Sequence, residues 1–460
     1  MTLLNKFGQF IESAQSTSFS SDVIHHAQRA LLDWHAASLA GSTSDAAIKL
    51  RQAFDDELGE GACSIFGSSK KASARMAAFI NGTISHIAEY DDIYRDGAYH
   101  PACPTISAAF ALAEFKNLPV QKLLESIVVG YEVSTRIAEV IQPSHYEFFH
   151  TTGTVGVFGS SAACSYLLGL NADQACDAMS TAGTFASGLQ QAFRSDSMTK
   201  PMHAGHAAEV GLSAALTAQA GMLGTPDLLE GAAGFGAAMT KGARWENIFD
   251  GFGEEFNVTR MTFKNYGCCG HTFPAIDAVG YLLEKHNIHF SQIKAIRVGG
   301  YKPTVEVCAY RQPKTPFEAK FSLSYTVAAR AVLGRVREKA FLPEALNHPD
   351  IRAVEDKVSL VLDSECASKF PKNRTAKVEI ELIDGAVFHH HQVTRHGDPD
   401  DPLTDQELLD KFYELVMPRL GEDRSKNLAN QVMMSDRVQV KNLSSIWSGA
   451  LNALFVIYFN

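Results

Sequence analysis

The sequence predicts a mainly α protein, a large all-helical domain into which a smaller α+β domain is inserted. Three observations carry this. From about residue 20 to 260, apolar residues recur at three- and four-residue spacing. Near residue 290 the period switches to two, with β-branched residues. Beyond residue 400 the helical spacing returns. A chain of 460 residues also exceeds what one ordinary core organises. The expected boundaries are 1–262 together with 400–460 for the helical domain, and 263–399 for the α+β domain.

Taken in order, SSDVIHHAQRALLDWHAASLAG (20–41) opens on serines and ends on Gly41, a capped helix. TISAAFALAEF (105–115), LLESIVVGYEVSTRIAEVI (123–141), VGVFGSSAACSYLLGL (155–170) and HAAEVGLSAALTAQAGML (206–223) repeat the spacing. Their many Ala, Gly and Ser positions let helices approach closely. IKAIRVGGY (293–301) and KVSLVLDSE (357–365) read as strands, and AKVEIELIDGAVFHHHQVTR (376–395) as a hairpin turning at Asp384-Gly385. Helices are expected around 272–286 and 317–333. After GDPDDP, Thr404 and Glu407 form a capping box for a final helix, LTDQELLDKFYELVMPRL. The apolar run 450–459 is too short to span a bilayer and reads as a packed terminal segment.

Composition narrows the function. Hydrophobic content of 46% with 20% charged residues belongs to a folded globular protein. A formal charge of −10 disfavours nucleic acid as a partner, since phosphate binding wants a basic face. No stretch is long enough for a membrane span, and the amino terminus lacks a signal-peptide pattern. The eight cysteines are dispersed apart from Cys268-Cys269, which points to a reduced, cytoplasmic setting. Dinucleotide, nucleotide and serine-hydrolase motifs are missing from the sequence, so no cofactor is expected.

Five segments gather ionisable residues in apolar surroundings. NGTISHIAEYDDIYRDGAYHPACPT holds Glu89, Asp91 and Asp92, then His100 on a loop braced by Pro101 and Pro104. That histidine is placed as an acid or base, or is a surface residue beside an acidic helix end. FFHTTGTVGVFGS sets His150 before a Thr/Gly-rich helix start that either receives a carboxylate or is merely capped by Thr151 or Thr152. In FRSDSMTKPMHAGHAAEVG, Lys200 stands just outside a helix start, as an anion-site cation or a solvated lysine. MTFKNYGCCGHTFPAIDA places Lys264, Tyr266, Cys268, Cys269 and His271 on a loop at the domain junction. Its CCGH lacks a second ligand pair for zinc, and the 389–391 histidines alternate across a strand, so no metal is expected. PFEAKFSLSYTVAARAV brings Lys320 and Tyr325 to another helix start.

Together these segments resemble the MmgE/PrpD family. The matching pieces are NGTISHIAEYDD…HPACPTISAAFALAE, HTTGTVGVFGSSAA, MTKPMHAGHAAEVGLSAALTAQAGM, FKNYGCCGHTFPAIDA, FEAKFSLSYTVA and GDPDDPLTDQELLDKF, spanning about residues 20–415. The family includes 2-methylcitrate dehydratase, cis-aconitate decarboxylase and iminodisuccinate epimerase. The resemblance implies a helical domain with an α+β lid, a homodimer, and a small di- or tricarboxylate as substrate. It implies that the pocket residues fall on His100, His150, Lys200, Lys264 and His271, with Glu89, Asp91 and Tyr325 also contacting substrate. Glu89 stands where members often carry aspartate, and Ile93 where they carry a threonine of a DDT triplet. NYGCCGH replaces a KPYP-like form, a departure that leans toward the epimerase branch.

The implied chemistry is metal-independent proton transfer at a carbon beside a carboxylate, as in a lyase or isomerase. Lys200, Lys264 and His150 bind carboxylates; His100 is base or acid; His271 or Tyr266 is the opposing proton carrier. Elimination, decarboxylation and epimerisation all remain open, as does the alternative of a non-catalytic carboxylate binder on the same fold.

Overall fold

The computed structural model describes residues 1–193, 197–370, 372–434 and 438–448. The expected terminal segment 450–459 lies outside them. The chain divides into two compact units, Met1–Thr262 with the stretch from Asp405 onward, and Phe263–Thr404.

The first unit is helical. Its helices are α1 (Leu3–Ala14), α2 (Ser21–Gly41), α3 (Asp45–Ala53), α4 (Ala74–Ile87), α5 (Ala102–Lys116), α6 (Val120–Val140), α7 (Thr151–Thr154), α8 (Gly156–Leu168), α9 (Ala172–Thr184), α10 (Lys200–Gln219) and α11 (Phe235–Met239). A two-residue ribbon, β1 (Cys63–Ser64) with β2 (Lys71–Ala72), is a minor addition. Starts obey side-chain chemistry. Ser20 accepts from the Val23 N–H ahead of α2, Ser73 from Met76 ahead of α4, and Asn171 forms a reciprocal cap with Gln174 on α9.

Helices α5 and α8 sit at the centre. Residues Ala102–Glu114 and Gly156–Tyr166 are buried on every face, so these helices have no polar side to present. Helix α10 packs on α4 and α8. The α4–α10 crossing is tight at Gly205, where a Cβ would stand 2.1 Å from Thr83 Oγ1 and 2.2 Å from the Phe79 carbonyl. That approach fixes the start of α10 against the end of α4, the two places from which the site is built.

The second unit contains α12 (Phe273–Lys285), β3 (Ile293–Gly300), α13 (Lys302–Val307), α14 (Pro316–Lys320), α15 (Leu323–Leu333), α16 (Pro343–Leu346), α17 (Pro349–Glu355), β4 (Val358–Leu362), α18 (Ser364–Lys369), β5 (Ala376–Leu382) and β6 (Val387–Gln392). The sheet order is β4-β3-β5-β6. Strand β3 runs parallel to β4, from Ile296 opposite Val358, and antiparallel to β5. The β5–β6 hairpin turns at Asp384-Gly385, with Gly385 at φ 91°. Val378 and Ile380 face a core shared with Phe273, Ile276 and Val279 of α12.

Three helices return to the first unit, α19 (Asp405–Leu420), α20 (Glu422–Met433) and α21 (Val440–Trp447). Lys411 on α19 docks them, its Nζ lying 2.5 Å from Asp33 Oδ1 on α2 and 2.7 Å from the Tyr90 carbonyl. The protein is mainly α, and none of its described helices is long and apolar enough to cross a membrane.

Candidate active site

In the first unit, the chain between α4 and α5 carries the buried carboxyls of Asp91 and Asp92, with half-buried Glu89 and His100 on either side. Helix α4 ends at Ile87, and Glu89 follows in the left-handed region at φ 62°. A β-carbon residue there costs on the order of 1 kcal/mol, a strain that points to a function for the side chain. Glu89 is ion-paired with Lys200, the first residue of α10. Lys200 is thus inside the helix, followed by Pro201 in its first turn, rather than just outside it. Its ammonium lies 5.3 Å from the centroid of Phe193.

Asp91 is fully buried, and its Oδ2 is a point of convergence. His86 Nδ1 approaches it at 2.8 Å from the last turn of α4. His100 Nδ1 approaches at 2.8 Å, and Cys103 Sγ at 3.2 Å from the first turn of α5. A carboxylate only accepts, so His86 carries its hydrogen on Nδ1 and leaves Nε2 as an acceptor, while His100 Nδ1 stands close to the same oxygen. Pro101 and Pro104 flank and open α5 rather than bracing a long loop. What holds His100 is a turn closed by paired Tyr94 and Tyr99 backbones, and Thr152, whose Oγ1 accepts from the His100 N–H at 3.2 Å. Thr152 therefore ties two segments of the site together instead of capping α7.

His150 precedes α7 and is buried. Its ring stacks on His86 at 5.5 Å and 18°, and its Nδ1 lies 3.1 Å from His203 Nδ1. Its N–H donates to the Gly188 carbonyl. Gly188 has φ 132°, and a Cβ there would meet the His203 ring at 3.2 Å. Burial pushes His150 well below the ordinary imidazole range, aided by His86, Lys200, His203 and His100 around it. Burial likewise lowers His203 to about 4.

His86, Asp91 and Cys103 also have the composition of a metal trio, their ligand atoms lying within 4.8 Å of one another. The spacing speaks for hydrogen bonds. Two ligand atoms on a tetrahedral ion, each about 2.0–2.3 Å from it, stand about 3.3 Å or more apart. The 2.8 Å and 3.2 Å contacts to one Asp91 oxygen are shorter than that.

The remaining expected residues lie in the second unit. Lys264 is buried, 2% exposed. Tyr266 donates to Asp277 Oδ1 at 2.6 Å, and burial beside that carboxyl raises its pKa far above the usual phenol value. His271 Nδ1 lies 2.9 Å from the Tyr301 hydroxyl, and burial, with Arg374 and Arg395 nearby, lowers it to about 3. Tyr325 is wholly buried and donates to the Ala340 carbonyl at 2.6 Å. Its hydroxyl is spent inside the core of its own unit, so packing accounts for it better than substrate contact does.

The structure therefore gathers Glu89, Asp91, His100, His150 and Lys200 in the first unit, and carries Lys264, Tyr266, His271 and Tyr325 in the second. It adds His86, Cys103, Phe193 and His203, which sequence reasoning passed over. His86 lies five residues before Asp91 across a helix end, and His203 three residues after Lys200 on α10. That helical spacing was the available signal. Burial holds His150 and His271 below the ordinary imidazole range, so neither adds a positive charge at neutral pH.

Comparison with known proteins supplies an independent observation. Residues 5–248 match the MmgE/PrpD N-terminal domain, and residues 266–436 match the MmgE/PrpD C-terminal domain. The cis-aconitate decarboxylase-like protein oryM of Aspergillus oryzae is 27% identical over 467 residues, covering 96% of each chain. The cis-aconitate decarboxylase of Homo sapiens is 26% identical, covering 93% of this chain and 90% of its own. That of Aspergillus terreus is 25% identical, covering 91% and 90%.

Proposed function

Because the chain belongs to the MmgE/PrpD family, we propose that it is a dehydratase- or decarboxylase-like lyase acting on a small di- or tricarboxylate. The single observation that carries this is the close Asp91–His100 approach in the segment whose Glu89 pairs with Lys200, within the helical unit. An imidazole whose Nδ1 faces a buried carboxylate at close range can keep Nε2 ready to take or give a proton. The full-length likeness to cis-aconitate decarboxylases favours an unsaturated tricarboxylate.

In such a decarboxylation the carbon–carbon bond to the departing carboxylate breaks and releases CO₂. Its electron pair moves through the double bond onto the carbon beside a retained carboxylate. His100, protonated, then delivers the proton that completes the product. Lys200 bears on the negative charge that peaks in the transition state, where a cation lowers the barrier most. His150 and His203, both neutral, offer hydrogen bonds rather than charge. For dehydration the same His100 works in reverse, removing a proton while a β-hydroxyl leaves.

The test is incubation with a panel of C4–C7 polycarboxylates in D₂O, read by proton NMR. Loss of CO₂ or water with deuterium entering beside a carboxylate is expected. Exchange without net product would identify an epimerase instead, and binding without exchange a non-catalytic carboxylate binder. His100→Gln should reduce turnover by at least 100-fold with the fold intact; near-normal turnover would remove His100 from the chemistry.

A further inference from the structure

We infer that His86 is a positioning residue that sets the basicity of His100 through the Asp91 oxygen the two histidines share. The inference rests on the reading of His100 as the proton carrier, and it adds a residue that reading did not require. Its ground is geometric. His86 and His100 both place Nδ1 2.8 Å from Asp91 Oδ2, one from the end of α4 and the other from the turn before α5. Their rings meet edge to face at 4.9 Å. His86 is fully buried, and its Nε2 finds no hydrogen-bond partner among the described residues. An unpaired buried nitrogen costs about 1–3 kcal/mol. A ring kept there for packing alone would be better replaced by an apolar one, so the Nδ1 contact is what the histidine supplies.

The consequence follows from sharing. A carboxylate facing an imidazole favours the protonated ring, and every further donor on the same oxygen weakens that effect. His86 and Cys103 are the further donors here. They moderate the pull of Asp91 on His100. His86 also holds Asp91 in one rotamer, as an outer partner orients a catalytic carboxylate. Other groups around the site are the Glu89–Lys200 pair, His150, which stacks on His86, and His203 behind it. The hydrogen bonds to Asp91 Oδ2 come from His86 and Cys103.

The test titrates the full-length protein carrying ¹⁵N-labelled histidine, following the His100 ring signal by NMR. Removing the donor with His86→Leu should raise the His100 midpoint by about half a unit to one unit. His86→Asn places an amide N–H where Nδ1 was and should bring the midpoint back toward wild type. The limb of the kcat/KM profile that belongs to His100 should move to higher pH by the same amount in the leucine variant. Should His86→Leu fail to fold, Cys103→Ala removes the other donor and is expected to shift the midpoint in the same direction. An unshifted midpoint in the folded variants overturns the inference, as does lower activity at every pH with no shift. If His100→Gln retains turnover, the proposed mechanism fails, yet the NMR midpoints still decide whether His86 acts on His100.

Discussion

Asp92 offers a quantitative test of the buried polar architecture behind the site. Its carboxyl is fully buried, accepting from the Ala102 N–H at 3.0 Å and from the Tyr131 hydroxyl at 2.8 Å. Burial, with Asp33 nearby, pushes it from 3.8 up to about 8, only partly offset by those two hydrogen bonds. A carboxyl whose folded value is raised stabilises the fold fully below its unfolded value, and that contribution is lost as pH climbs to the folded value. Between pH 5 and 7 the native state binds one more proton than the unfolded chain at this position. Stability should therefore fall by about 1.4 kcal/mol per pH unit from this group alone, about 3 kcal/mol over the interval. Asp92→Asn keeps the shape, accepts from Ala102 and donates to Tyr131, but does not titrate. Its direct cost should be about 1 kcal/mol or less at low pH. The assay is urea unfolding from pH 5 to 9 by tryptophan fluorescence, which reports the helical unit because Trp34, Trp245 and Trp447 all belong to it. Wild type should lose stability faster than the variant up to about pH 8 and in parallel with it above. Parallel curves throughout would refute the protonated state assigned to Asp92.

Three other substitutions separate structural from chemical roles. Lys411→Met strands Asp33 in the core and should cost about 3–5 kcal/mol by urea unfolding, while Lys411→Met with Asp33→Leu should recover most of it. Tyr325→Phe loses one buried hydrogen bond, so about 1 kcal/mol of stability should go with kcat/KM unchanged; a 100-fold loss would restore a role in substrate contact. Lys200→Gln should lower kcat/KM by at least 100-fold in steady-state assays, yet change stability by no more than about 1 kcal/mol, because its pair with Glu89 is partly exposed.

Much of the fold is legible because its signals are local. The helices at 20–41 and 123–141 show through spacing and end residues, and the hairpin through Asp384-Gly385 between alternating runs. Helices α5 and α8 have no amphipathic stripe, being buried all round, and only their small residues hint at a central position. The sheet order is different in kind. Strands β3 and β4 are neighbours although about 60 residues separate them, and nothing within either strand names the other as a partner. The site divides the same way. His100 and Lys200 could be picked out as ionisable residues at helix starts, but His86 looks like an ordinary interior residue of α4 until the chain turns and brings Asp91 back to it.

What the residue types concealed is their charge. An inventory of His100, His150, Lys200, Lys264 and His271 reads as a cluster of cations, and that reading treats each side chain as if it stood in water. Inside the helical unit, burial keeps His150 and His203 neutral, Lys200 is matched by Glu89, and Asp91 accepts from His86 and Cys103 with His100 Nδ1 close to the same oxygen. That set carries no excess positive charge with which to draw an anion from a distance. On the proposed function, carboxylate recognition in this unit must then come at short range, from oriented neutral donors and from Lys200 exchanging Glu89 for substrate. Such a site gains little from loose binding of any anion and more from charge that develops at one place during reaction, the condition under which binding energy lowers a barrier.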